Sequence, residues 1–147
     1  MALVAPAGAQ AAPSDPSKEA LVTSQDLNVY LLQRDADKAA KSLSLKLLFD
    51  YAKPQGGHGV QAARSNTVQL HVRCGKNAWN VSQFQPFAGP GATGRALAPA
   101  YPAVPDNAWV QIQSDQEKIK DPGEAMMNQI SLGACLWLAE QLEKPAA

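Results

Sequence analysis

The run Ser42–Tyr51, SLSLKLLFDY, constrains this chain more than any other stretch. Leu43, Leu45, Leu47, Phe49 and Tyr51 alternate with Ser44, Lys46 and Asp50. Successive side chains of a strand point to opposite faces, so this period of two predicts a β-strand with one apolar and one polar face. Leucine favours helices by propensity, yet the alternation is too regular to set aside. Leu48 is the exception, an apolar residue on the polar side. Thr67–Cys74 repeats the pattern, with Val68, Leu70, Val72 and Cys74 facing in and Thr67, Gln69, His71 and Arg73 facing out. Strands buried on one face only belong to antiparallel sheets.

Around these two strands the remaining elements fall into place. Leu27–Leu32 (LNVYLL) is a short apolar strand and the first ordered stretch. Arg34–Lys41 is polar and Ala-rich, either a helical turn or a long hairpin loop. Lys53–Gly59 reads as a loop, because Pro54 lacks an amide donor and three glycines permit positive φ. Gly75–Asn77 is a turn, and Trp79–Phe84 begins another strand. Pro86–Pro105 is a long irregular connection, or it hides one weak strand near Arg95–Leu97. Trp109–Gln113 is a final strand. At Asp121-Pro122-Gly123-Glu124 an acid stands at N-cap, proline at N1 and glutamate at N3, which predicts a helix start. Met127, Ile130, Ala134 and Leu138 recur at helical spacing, Leu142 extends that stripe and Pro145 ends it. Gly133 would let the helix approach the sheet closely. The fold class expected is α+β: an antiparallel β-sheet with a C-terminal α-helix packed on one face.

At 147 residues the chain accommodates one domain and a tail. The expected boundaries are a disordered tail over 1–24 and a single domain over 25–144. The start, ALVAPAGAQA, has small residues at Ala9 and Ala11 that resemble a signal-peptidase site, though no basic n-region precedes it. It is either the remnant of an export signal or an Ala/Pro-rich tail.

Formal net charge is zero, which removes a global field for nucleic acid. Arg34–Lys76 is nevertheless basic in excess and the stretch from Asp106 onward is acidic in excess. No run approaches the roughly 20 apolar residues of a membrane span. The two cysteines, Cys74 and Cys135, are too far apart for a CxxC redox pair and too few for a structural zinc site. They are either one disulfide of an oxidising compartment or two buried thiols. Their places on a sheet face and on a helix of the same domain favour the bond.

No catalytic set stands out. Gly89–Gly94 (GPGATG) matches G-x-G-x-x-G literally, but a dinucleotide loop needs a strand before it and a helix after it, and prolines flank it on both sides. His58 and His71 have no metal-ligand spacing to an acid or cysteine and no evident Ser or Cys partner. No cofactor is called for. Asn80-Val81-Ser82 is a sequon of accidental character, and the three tryptophans are expected in the core. Lys46, His71 and Arg73 lie on the outward side of neighbouring strands, where they form either a cationic binding surface or an ordinary polar sheet face.

Leu43–Tyr51 followed by Pro54-Gln55 resembles the strand ending in D-Y-x-x-P-Q of the bacterial surface-adhesin E family. Arg64-Ser65 through Cys74 is similar to that family's Ser…Cys strand, and Trp109-Val110-Gln111-Ile112 with Ser114 resembles its W-x-x-I-x-x-x-S segment. The resemblance runs from Leu27 to Cys135. It implies an exported sheet protein, in the periplasm or on the outer surface, whose helix is tethered through Cys74 and Cys135. It also implies a non-catalytic adhesin for host extracellular-matrix proteins of the laminin, vitronectin and plasminogen class; a glycosaminoglycan is the further partner that a cationic face of Lys46, His71 and Arg73 would suit. Haem binding is attributed to one member. The alternative from size and the lack of a catalytic set is a periplasmic binding or immunity-type inhibitor module. Oligomeric state is left open, a dimer included.

Overall fold

The computed structural model describes residues 18–55, 62–97 and 109–143. Expectations for the first 17 residues, His58, the stretch 98–105 and Pro145 lie outside the described residues. Six strands form one antiparallel sheet in sequence order: β1 (Glu19–Thr23), β2 (Leu27–Asp37), β3 (Ser42–Gln55), β4 (Ala63–Arg73), β5 (Ala78–Phe87) and β6 (Val110–Gln111). A single long helix, α1 (Pro122–Glu143), follows. This is the expected α+β architecture. The chain divides into two compact units, and the central strands contribute residues to both.

Unit one holds the described residues of Met1–Gln33, Lys46–Gln69 and Gln83–Ala103. Its strand β1 falls inside the stretch expected to be tail. β1 pairs with β2 from Glu19↔Leu31 to Thr23↔Asn28, with a register shift between Ala20 and Val22. Only half-buried Leu21 and Val22 mark it as a strand, too short a pattern for periodicity to reveal. Val29, Tyr30, Leu47 and Val68 form its buried core. β3 runs on through Pro54 to Gln55, past the point where a loop was expected. Residues 53–55 are exposed, and a proline there forfeits only one amide at a strand end.

Leu48, the apolar residue on the polar side of β3, is 1% exposed. On that side Ser65 and Asp50 are also buried, and both bind the 89–94 loop. The Ser65 hydroxyl donates to the Gly89 carbonyl at 2.6 Å and accepts from the Ala92 amide at 2.8 Å. The Asp50 carboxylate accepts from the Gly91 amide at 3.0 Å. The loop thus roofs this face, and Leu48 is core on the side that alternation marks as solvent. The weak strand anticipated near Arg95–Leu97 is an isolated bridge, Phe87↔Ala96.

Unit two holds the described residues of Arg34–Leu45, Leu70–Ser82 and Val104–Ala147. Arg34–Asp37 belongs to β2, so the stretch of open interpretation is a strand ending in a short hairpin. Asp37 accepts from the Ala40 amide at 3.0 Å, and Lys41 takes φ 53° to close the turn. Cys74 is not on a strand: it opens a 3-10 turn, Cys74–Lys76, directly after β4. It is bonded to Cys135 across a sequence separation of 61, with Cα atoms 5.6 Å apart. Asp121 caps α1 as expected, its carboxylate accepting from the Glu124 amide at 2.8 Å.

Ile130, Ala134 and Leu138 are the buried stripe of α1, with Asn128 and Ser131 beside them. Leu142 does not extend it, being 45% exposed. Gly133 is also outward, with open space where a Cβ would sit, so it serves no close approach to the sheet. The helix packs only weakly on the sheet, and directed contacts supplement that packing. Besides the disulfide, the Arg34 guanidinium lies 4.2 Å from the Trp137 ring centroid. Asn128 exchanges bonds with Gln113, accepting from its amide at 2.8 Å and donating to its carbonyl at 2.9 Å. Among the described residues, no helix is long and apolar enough to cross a membrane.

Candidate binding recess

Within unit two, the side of the sheet carrying His71 and Arg73 opens into a recess of about 510 Å³. Its wall carries Asp35, Asp37, Ser44, His71, Arg73 and Trp109, with Asn80 and Ser82 alongside. Strand alternation brings them together: Ser44 on β3, His71 and Arg73 on β4 and Ser82 on β5 are all non-core positions of adjacent strands.

His71 is braced on both sides. One ring nitrogen, Nε2, is 3.0 Å from the Ser82 hydroxyl, and the other, Nδ1, is 3.4 Å from the Ser44 hydroxyl. Serine partners for His71 were not evident from the sequence, because Ser44 and Ser82 lie 27 and 11 residues away along the chain. A Ser–His–acid relay places a carboxylate on the second ring nitrogen to hold the tautomer and stabilise the imidazolium. Here that position belongs to a neutral hydroxyl, so the ladder orients the ring and supplies exchangeable donors and acceptors.

Arg73 is exposed, and its guanidinium stacks 3.9 Å from the Trp109 ring centroid. Stacking on an aromatic face holds the planar fork in one orientation while its N–H groups stay available. Trp109 and Trp137 are therefore half-buried platforms under arginines, whereas Trp79 is 5% exposed and part of the core. Asn80 of the sequon is also 5% exposed, with its carbonyl oxygen accepting from the Val81 amide, which fits an accidental motif.

The three residues expected to form one cationic surface are distributed between the units. His71 and Arg73 share the recess of unit two. Lys46 belongs to unit one, where it is exposed on a recess of about 360 Å³ with Thr67, Gln69, Gln83 and Gln85. The unit-two recess is mixed in charge, since Asp35 and Asp37 line it with Arg73.

The G-x-G-x-x-G stretch has a structural use. Amides that would face a phosphate are taken by Asp50 and Ser65, and the stretch leads into the Phe87↔Ala96 bridge rather than a helix. Among the described residues, no cluster of three or more His, Cys, Asp or Glu could hold a metal ion.

The described residues thus make a six-stranded antiparallel sheet followed by a C-terminal helix tethered through Cys74–Cys135. The family description of surface-adhesin protein E matches residues 19–128, and the chain belongs to that family. The match ends before Cys135, so the partner of Cys74 is supplied by the fold and not by the match. No curated protein and no solved structure matches the chain.

Proposed function

We propose that this protein is an exported adhesin that binds a host extracellular-matrix protein through outward sheet residues, with His71 and Arg73 of unit two at the centre of the contact and Lys46 of unit one as a separate point of attraction. The family match over residues 19–128 carries this reading. The recess supports it by offering what a protein epitope needs: an oriented guanidinium, a braced imidazole and two acids within one concave surface. Arginine and tryptophan are the residue types that most often dominate binding energy at such contacts. Laminin, vitronectin and plasminogen are the partner class, and the outer surface is the location.

Binding of laminin, vitronectin, plasminogen and heparin to the oxidised protein tests the reading. The double charge reversal Lys46→Glu with Arg73→Glu should weaken binding to at least one matrix protein. Wild-type affinity should fall as salt rises, since the Debye length is about 8 Å at physiological ionic strength. Equal, salt-insensitive binding by both proteins would remove this surface and move attention to the Pro86–Pro105 segment. Surface biotinylation of intact cells with fractionation tests the location: a protein that stays unlabelled and is confined to the periplasm is no adhesin.

A further inference from the structure

The recess of unit two that holds His71 and Arg73 offers a ligand mostly polar groups. Leu43 and Val72 belong to its lining but are 3% and 1% exposed, so among the described residues Ala36 and Val81 are what it has of aliphatic wall. An apolar anchor, the usual centre of a protein contact, finds little room to bury itself there. The recess also crosses the faces of β2, β3, β4 and β5, whereas a peptide strand adds along a sheet edge. Its polar groups therefore decide what it takes. The Arg73 guanidinium lies on the Trp109 ring and, among the described residues, has no hydrogen bond or ion pair, so its planar fork is open. Asp37 gives one carboxylate oxygen to the Ala40 amide, and among the described residues its other oxygen has no partner. That oxygen can only accept. Between these two, the His71 ring and the Ser82 hydroxyl, 3.0 Å apart, can both donate and accept.

We infer that this recess takes a carboxylated, unsulfated sugar, with its carboxylate on the Arg73 fork and its ring hydroxyls on Asp37 and the Ser82–His71 pair. A carboxylate meets a guanidinium through two parallel bonds, and a sugar hydroxyl supplies the donor that the second Asp37 oxygen lacks. Asp35 and Asp37 set two carboxylates against one guanidinium, which opposes a sulfated or phosphorylated polyanion and admits a monoanion rich in hydroxyls. The recess measures about 510 Å³, within the roughly 300–1,000 Å³ of small-ligand sites. The inference rests on the adhesin reading for the source of the sugar, a host glycan, and not for its chemistry.

The test reads the His71 ring and Trp109 indole resonances of the oxidised protein. They are assigned with His71→Gln and Trp109→Phe or, where a variant fails to fold, from cross-relaxation in the wild type. The probes are the methyl glycosides of N-acetylneuraminic acid and of glucuronic acid, the methyl ester of each, a capped Lys-Gly-Glu peptide and a heparin oligosaccharide. Both resonances should move with at least one free acid, which tells a terminal sialic acid from a uronic acid, and stay in place with its ester. Arg73→Gln should weaken that acid about tenfold, the size of a charge-assisted pair. Asp37→Asn keeps an oxygen for the Ala40 amide and should weaken it about threefold. Unmoved resonances with both acids at tens of millimolar overturn the inference, as do equal shifts with acid and ester. Tighter binding of the acid by Asp37→Asn, or a response to heparin or to the peptide and to neither acid, overturns it too. Laminin before and after enzymatic removal of its acidic sugars separates the two readings. Sugar binding without laminin binding leaves this site standing and removes the adhesin, and laminin binding without sugar binding does the reverse.

Discussion

The two units use the same strands in different ways. In unit one the polar side of β3 and β4 is roofed: Asp50 and Ser65 tie down the 89–94 loop, and Leu48 lies buried on that side. In unit two the corresponding positions, Ser44 and His71, remain half-buried on the wall of a recess. The difference lies in what covers the strands and not in their intrinsic pattern. A face that is roofed tolerates an apolar residue and must bond every polar one. A face left open keeps hydroxyls, an imidazole and a guanidinium for a partner. Stabilisation differs accordingly, with a covalent tether to the helix in unit two and a network of short polar bonds under a loop in unit one.

Substitutions in each unit put this contrast to the test. The largest effect is expected from Cys74→Ser with Cys135→Ser. Releasing a closure of 61 residues should cost about 4 kcal/mol by the chain-entropy argument. Urea unfolding gives the total, and hydrogen exchange shows where it falls: α1 amides should lose protection well before the β1–β2 pair. Uniform loss across both units would mean that they do not differ in how they are held.

Ser65→Ala should follow, at about 2 kcal/mol. It removes a fully buried hydroxyl and orphans the Ala92 amide and one acceptor site of Gly89. The urea midpoint and the exchange rate of the Ala92 amide report it. A near-neutral result would show that the loop is not held as a roof. Asp121→Ala should cost about 1 kcal/mol through loss of the N-cap bond to Glu124, read as a lower thermal midpoint and earlier fraying of the first helical turn.

The smallest stability change belongs to the open face. Arg73→Gln removes one exposed stacking contact with Trp109 and should cost no more than about 1 kcal/mol while altering Trp109 fluorescence. A cost comparable to that of Ser65→Ala would mean that the recess is structural cement and not a surface kept for binding.

The alternation in Ser42–Tyr51 and Thr67–Cys74 made β3 and β4 legible, because period two is a local property of the pleated backbone. The cap at Asp121 was legible for the same reason, since its bond to Glu124 closes within three residues. β1 was not, because a two-residue apolar signal acquires meaning only when β2 stands beside it. The outward turn of Leu142 and Gly133 also escaped, as helical spacing does not say where a weakly packed helix leaves the sheet.

The sequence by itself determined the alternation of the strand faces and the helix start, both carried by residues within a few positions of one another, and the family, carried by short motifs spread along the chain. Tertiary structure alone decided which stretch of polar face is roofed, that Ser44 and Ser82 brace His71, that Arg73 lies on Trp109, and that the Trp79 indole is left without an acceptor. Each of those joins residues at least eleven positions apart or depends on what a distant segment covers, and no local pattern encodes such proximity before the chain has folded.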